Sequence, residues 1–151
     1  MTDRFEELIS ELGKYLDLDL HTDHNHACRL RIRDRVDIQL QMDAAQENLL
    51  MVSFATEIPP GKFRENVLLE ALKANGLPEP SHATLSYLSQ NNHLVLHRIF
   101  PLNLLNAERL AGLFGEFLEQ VESWKQAIES GQSAPVSVSR DLPSKPFGLR
   151  P

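Results

Sequence analysis

Three histidines, His21, His24 and His26, stand just ahead of the single cysteine, Cys28, interleaved with Asp17, Asp19 and Asp23. Imidazole, carboxylate and thiolate all bind zinc, so metal chemistry would be sought here first. A tetrahedral site needs ligands that converge on one point, and this spacing matches no established zinc pattern. Two readings stand: a metal- or ligand-binding loop of a small α+β binding protein or enzyme, and a polar surface loop that happens to be rich in histidine. Cys28 alternates in phase with Leu30 and Ile32, which makes it a small core residue rather than a ligand. Elsewhere there is no glycine-rich phosphate loop, no nucleophile elbow and no histidine-metal helix motif. The carboxylates fall on solvent faces and the serines in loops or the tail, with no base partnered to them by spacing. No catalytic residue, metal or cofactor is assigned, and the chain reads as a binding protein rather than an enzyme.

Any site must be positioned by the stretch from Cys28 to Phe54, which alternates at the period of a strand in three successive segments. Cys28, Leu30 and Ile32 oppose Arg29, Arg31 and Arg33; Val36, Ile38, Leu40 and Met42 oppose Asp37, Gln39, Gln41 and Asp43. The links at Asp34-Arg35 and from Ala44 to Asn48 have room only for hairpins, so an antiparallel meander with one wet face is expected. Ahead of it, Phe5, Leu8, Ile9, Leu12 and Leu16 form the stripe of a helix running to about Tyr15, with Asp3 and Glu6 in capping-box spacing. After it, Pro59-Pro60-Gly61 is a firm break. A second helix follows, with Phe63, Val67, Ala71 and Leu72 on one side, Leu68 beside them, Leu69 off the stripe and Asn75-Gly76 as its stop. A helix with apolar residues on more than one side has two neighbours, which points to a subunit contact.

The segments ATLSYLS and HLVLHRIF form a hairpin around Gln90-Asn91-Asn92. In the second of them Leu94, Leu96 and Phe100 lie on one face and Val95 and Ile99 on the other. Both faces need cover, and a dimer interface supplies it. His97 and Arg98 read as rim or edge groups. From about Asn106 the longest helix places Leu110, Leu113, Phe114, Phe117, Leu118, Val121, Trp124 and Ile128 on one stripe, and each large side chain fully buried there contributes about 1.5–3 kcal/mol. Glu108, Glu116, Glu119, Glu122 and Glu129 read as its solvated outer surface. The expected fold is therefore α+β: an antiparallel twisted sheet of about five strands with three helices in the order α-β-β-β-α-β-β-α, assembled as a homodimer. The division is a folded domain over 1–130 and a Pro/Ser-containing tail over 131–151, flexible or, through Phe147 and Leu149, a short docking motif.

Charge narrows the partners. Residues 1–130 hold 12 Lys and Arg against 20 Asp and Glu, so the body repels phosphate backbones, and no nucleic-acid partner is expected despite Arg29, Arg31, Arg33 and Arg35. One cysteine permits no internal disulfide, the acidic amphipathic start is unlike a secretory signal, and no apolar run reaches the length of a membrane span. A soluble, cytoplasmic protein is expected.

The element order, together with FEELISELGKYLDLDL, CRLRIRDRVDIQLQMD, LLEALKANG, ATLSYLSQNNHLVLHRIF and LFGEFLEQVESWKQAI, resembles the class I type III secretion chaperones, the CesT or Tir-chaperone family. ALKANG and FLEQVESW are the most distinctive parts, and the His-rich loop and the Pro/Ser tail lie outside the family pattern. The resemblance implies a small acidic homodimer in the bacterial cytoplasm that binds the N-terminal chaperone-binding region of one or more secreted effectors. It holds that region extended and secretion-competent and delivers it to the secretion machine, whose export-gate ATPase is a candidate second partner. Effector side chains would occupy apolar grooves and part of the effector backbone would add as strands. By this resemblance Leu30, Ile32, Ile38, Leu40 and Met42 are the candidates for the cargo groove or its floor, with core packing as the competing role. Val67, Leu69, Val95 and Ile99 are the candidates for dimerisation. A regulatory partner protein of the same fold is a further alternative.

Overall fold

The helix stripe of Phe5, Leu8, Ile9 and Leu12 is buried along α1 (Arg4–Leu16), in a computed structural model that describes residues 4–77 and 82–135. Asp17, in the left-handed region at φ 56°, turns the chain out of this helix, one residue later than the sequence suggests. The departing chain folds back so closely that a Cβ on Gly13 would lie 2.6 Å from the Leu18 carbonyl oxygen, a spacing only glycine allows.

The meander follows as β1 (Ala27–Ile32), β2 (Val36–Met42) and β3 (Asn48–Glu57), then α2 (Lys62–Asn75), β4 (Thr84–Leu88), β5 (His93–Pro101), a single 3-10 turn, and α3 (Ala107–Glu129). The five strands form one antiparallel sheet in the order β1-β2-β3-β5-β4. The first hairpin turns one residue earlier than expected. Arg33 and Asp34 both have positive φ and Arg35 N–H closes on the Ile32 carbonyl at 3.0 Å, which is the primed turn that matches strand twist. Arg33 is thus a turn residue and not a strand residue. The second hairpin is held by Asp43, whose carboxylate accepts from the main-chain N–H of Glu47 and Asn48 and from the Asn48 side chain.

One face of the sheet is covered by the helices. Inward residues of all five strands join α1, α2 and α3 in a single apolar cluster, with Phe5, Phe114 and Phe117 among its largest fully buried members. Trp124 closes the C-terminal half of α3, and Asn106 caps the start of that helix by accepting from Arg109 N–H. A β-bulge between Phe54 and Thr56 bends β3, and Lys125 of α3 donates to the Ala55 carbonyl there at 3.2 Å.

Several expectations change. On α2 the inward residues are Val67, Ala71 and Ala74, and Leu72 is 68% exposed rather than part of that stripe. At 3.6 residues per turn Leu72 lies more than 120° from Val67, so the covered stripe passes it by. β5 is central and not an edge, so Arg98 is no rim group: it faces inward, 3.5 Å from Glu116 of α3 and 4.6 Å over the Phe100 ring. Burial pulls its guanidinium pKa below the usual value, and Glu116 partly offsets that. The outer carboxylates of α3 are not simply solvated either, because Glu122 and Glu129 reach Arg33 and Arg35. The tail beyond Pro135, with Phe147 and Leu149, lies outside the described residues.

Candidate functional site

Alternation gives the sheet a second face that none of the described helices covers, and its chemistry changes across the strands. Arg29 and Arg31 of β1 and Asp37, Gln39 and Gln41 of β2 occupy one side of it. Towards β3 and β5 it becomes apolar: Leu50, Val52 and Phe54 stand opposite Ile99, His97 and Val95 in the strand register. Phe54 is 48% exposed and Ile99 59%, whereas Val95 is nearly covered by its neighbours. Where the two regions meet, Arg29, Arg31, Asp37, Gln39, Val52 and Phe54 surround a concavity of about 440 Å³ with the strands at Leu30 and Ile38 as its floor. Such a surface joins the apolar side chains of Val52 and Phe54 to a polar rim in which Arg29 and Arg31 outnumber Asp37.

The two edges of the sheet differ. At β4, Asn75 of α2 accepts from Leu85 N–H and donates to the Leu85 carbonyl, each at 2.8 Å, in place of a neighbouring strand. Gln120 of α3 accepts from Ala83 N–H at 2.6 Å. At β1 only Ala27, at the very start, is held in this way, by Asp23. Among the described residues nothing hydrogen-bonds to the outer side of β1 from Arg29 to Arg31. An edge with unpaired N–H and C=O groups is a template for another chain, and here β4 is capped at Leu85 and just ahead of it at Ala83, while β1 is open from Arg29 to Arg31.

The structure separates the residues singled out from sequence. Leu30, Ile38, Leu40 and Met42 are buried and Ile32 is half-buried, all on the helix-covered face. Their side chains are in the core, because α1 and α3 occupy the face to which alternation points them, and only Leu30 and Ile38 also border the concavity, as its floor. Val67 is likewise turned into the core with none of its surface exposed, which corrects its assignment to a subunit contact. Leu69 is 52% exposed on the opposite side of α2, beside the exposed Leu72. Val95 and Ile99 lie on the uncovered sheet face. Phe54, Val52, Leu50 and Leu72 were missed by sequence reasoning; the signal was present in Leu49-Leu50-Met51-Val52, where apolar residues fill both phases of the alternation, as they do on β5.

The histidine loop does not converge. His21 sits 3.1 Å from Asp19 with both side chains exposed, and His26 meets the Phe5 ring edge-on. Asp23 uses its carboxylate on the N–H groups of Asn25 and Ala27, and these bonds, led by Asn25, hold it below the usual carboxylate range. Burial pushes the Cys28 thiol up, away from the thiolate a metal requires. Among the described residues no three His, Cys, Asp or Glu side chains are grouped as a metal site. No described helix is long and apolar enough to cross a membrane.

Comparison with known proteins places this geometry. No curated protein matches the chain significantly in sequence. Among solved structures, a chain of the HopA1–SchA chaperone–effector complex superposes with a TM-score of 0.67 at 19% identity, covering 84% of this chain and 100% of that one. A chain of the ExsC–ExsE complex gives 0.67 at 17% identity over 85% and 96%. The ExoT–SpcS complex from Pseudomonas aeruginosa gives 0.60 at 18% identity over 81% and 97%. At these identities the likeness is one of fold. The Tir chaperone protein (CesT) family matches residues 7–125, most of the sequence, and the chain belongs to that family.

Proposed function

We propose that the protein is a type III secretion chaperone that binds the N-terminal chaperone-binding region of one or more effector proteins and keeps it extended and secretion-competent, without catalysing a reaction. The observation that carries this reading is the asymmetry of the sheet edges. Asn75 and Gln120 cap the start of β4 at Leu85 and Ala83, while β1 offers unpaired main-chain groups at Arg29 and Arg31 beside a partly apolar concavity with arginines on its rim. An extended segment added to β1 would satisfy those groups whatever its sequence, and the concavity would supply selectivity. Leu30, Ile32, Ile38, Leu40 and Met42 serve this site from beneath, as the packed floor that keeps β1 and β2 rigid.

The working form in this reading is a homodimer in the bacterial cytoplasm, joined through Leu69 and Leu72 on α2 and through Val95 and Ile99 on the outer sheet face. Residues 1–130 are the folded body and 131–151 a tail. The export-gate ATPase of the secretion system is the receiving partner. Co-expression with effectors encoded beside its gene tests the proposal. The expected product is a soluble complex of two chaperone copies per effector in which the effector's N-terminal segment resists proteolysis. Failure to retain any secreted protein would overturn it.

A further inference from the structure

Along an antiparallel strand, the N–H and C=O of one residue point to the same side and those of the next residue to the other. The His26 carbonyl accepts from Met42 N–H on the β2 side, whereas Ala27 bonds to Asp23 on the side away from β2. Arg29 and Arg31, in phase with Ala27, therefore direct their main-chain groups off the free edge. They are the residues with which an added strand would pair. Their side chains also project onto the outer face, and both are exposed.

The rest of the arginine run is committed elsewhere. Arg33 lies 3.3 Å from Glu122 and Arg35 2.5 Å from Glu129, both on α3. Arg31 has an exposed partner, Asp37, at 3.7 Å. Arg29 stands opposite Gln39 and has no carboxylate within ion-pair distance among the described residues, although the field of Asp23 reaches it. A cation thus sits unpaired at the open edge of a body with a large excess of carboxylates. A second copy of β1 pairing there would bring arginine against arginine, which like-charge repulsion opposes.

We infer that the β1 edge selects cargo segments carrying carboxylates at positions i and i+2, with an apolar residue between them and apolar residues at the flanking alternate positions. The outward Asp or Glu side chains of the added strand lie opposite Arg29 and Arg31, and the inward apolar ones extend the core beside Leu30 and Ile32. The inference rests on the effector-binding reading and adds the chemistry by which cargo is chosen. Each facing pair of opposite charges strengthens binding by about 1.5- to 5-fold, and like charges weaken it similarly. Arg29 dominates the selection, because Arg31 shares its charge with Asp37.

A phage-displayed library of random peptides, selected on the intact protein, tests this. Enrichment of alternating apolar and acidic residues is expected. Arg29→Glu should weaken the best selected peptide about 5- to 10-fold, and replacing the facing Asp or Glu of that peptide by Lys should restore binding. Arg29→Gln should fall between the two. Arg29 is exposed, so an unchanged thermal melt is the control for folding. Alternating apolar peptides with no acidic bias, or with affinity indifferent to Arg29→Glu, would overturn the charge selectivity and leave the open-edge reading standing. Selection of no extended peptide at all would overturn both.

Discussion

Asp43 shows how a single half-buried carboxylate can govern a hairpin. It is lowered below its ordinary value of 3.8 chiefly by the Asn48 side chain, then by the Glu47 N–H. A carboxyl whose folded pKa is depressed adds stability above its unfolded pKa, and that stability is lost as pH falls through the folded value. Asp43→Asn should therefore lower the melting temperature at pH 7, and the gap between variant and parent should close as pH drops below about 3.8. Melts taken from pH 7 to pH 3 check this, and a gap independent of pH would contradict it. Backbone geometry at other turns is less expected, since His26, Arg33, Asp34, Gln46 and Asn92 carry positive φ without being glycine. The turn at Asn92 was readable because Asn tolerates that region, whereas Arg33 was not, since nothing in its side chain marks it as a turn residue.

At the scale of the element, α2 has one face in the core and, in the proposed dimer, the other in the interface. Val67→Asp would place a charge in the core, and should cost several kcal/mol and yield little folded protein. Leu69→Asp and Leu72→Asp sit in solvent in the single chain, so they should fold normally and lower the dimer fraction in light scattering. An unchanged dimer in the double variant would remove α2 from the interface. On β5, Ile99→Asp should likewise give monomers with a near-parental melt, because its side chain is exposed on the uncovered sheet face. In α3, by contrast, Phe117→Ala removes a fully buried ring and should cost about 3–5 kcal/mol, measurable by denaturant unfolding. The elements themselves were legible from periodicity: α1, the meander, the β4–β5 hairpin and α3 all fall where the apolar spacing puts them. Leu72 was misplaced because it comes five positions after Val67, a step that carries the side chain past the covered stripe.

At the scale of the molecule, the question is which side of the sheet the helices take. Strand alternation gives two faces, and on β3 and β5 both are apolar, so the sequence of those strands is neutral between them. The helices settle on the side of Leu30, Ile38 and Leu40, and by doing so they make Val52, Phe54 and Ile99 the surface. They also decide the edges. Asn75 and Gln120 are ordinary polar helix residues in the sequence, and only their placement beside Leu85 and Ala83 caps the start of β4.

The sequence by itself determined the α+β class, the order of the elements, the antiparallel pairing of neighbours and the acidic charge, because these follow from local periodicity, link length and composition. It also carried the family resemblance. Strand order with β5 between β3 and β4, the open stretch of the β1 edge as against the capped start of β4 at the opposite edge, and the pairing of Arg33 and Arg35 with Glu122 and Glu129 were decided only in three dimensions. Each depends on contacts between residues far apart in the chain, about which the spacing within any one segment carries no information.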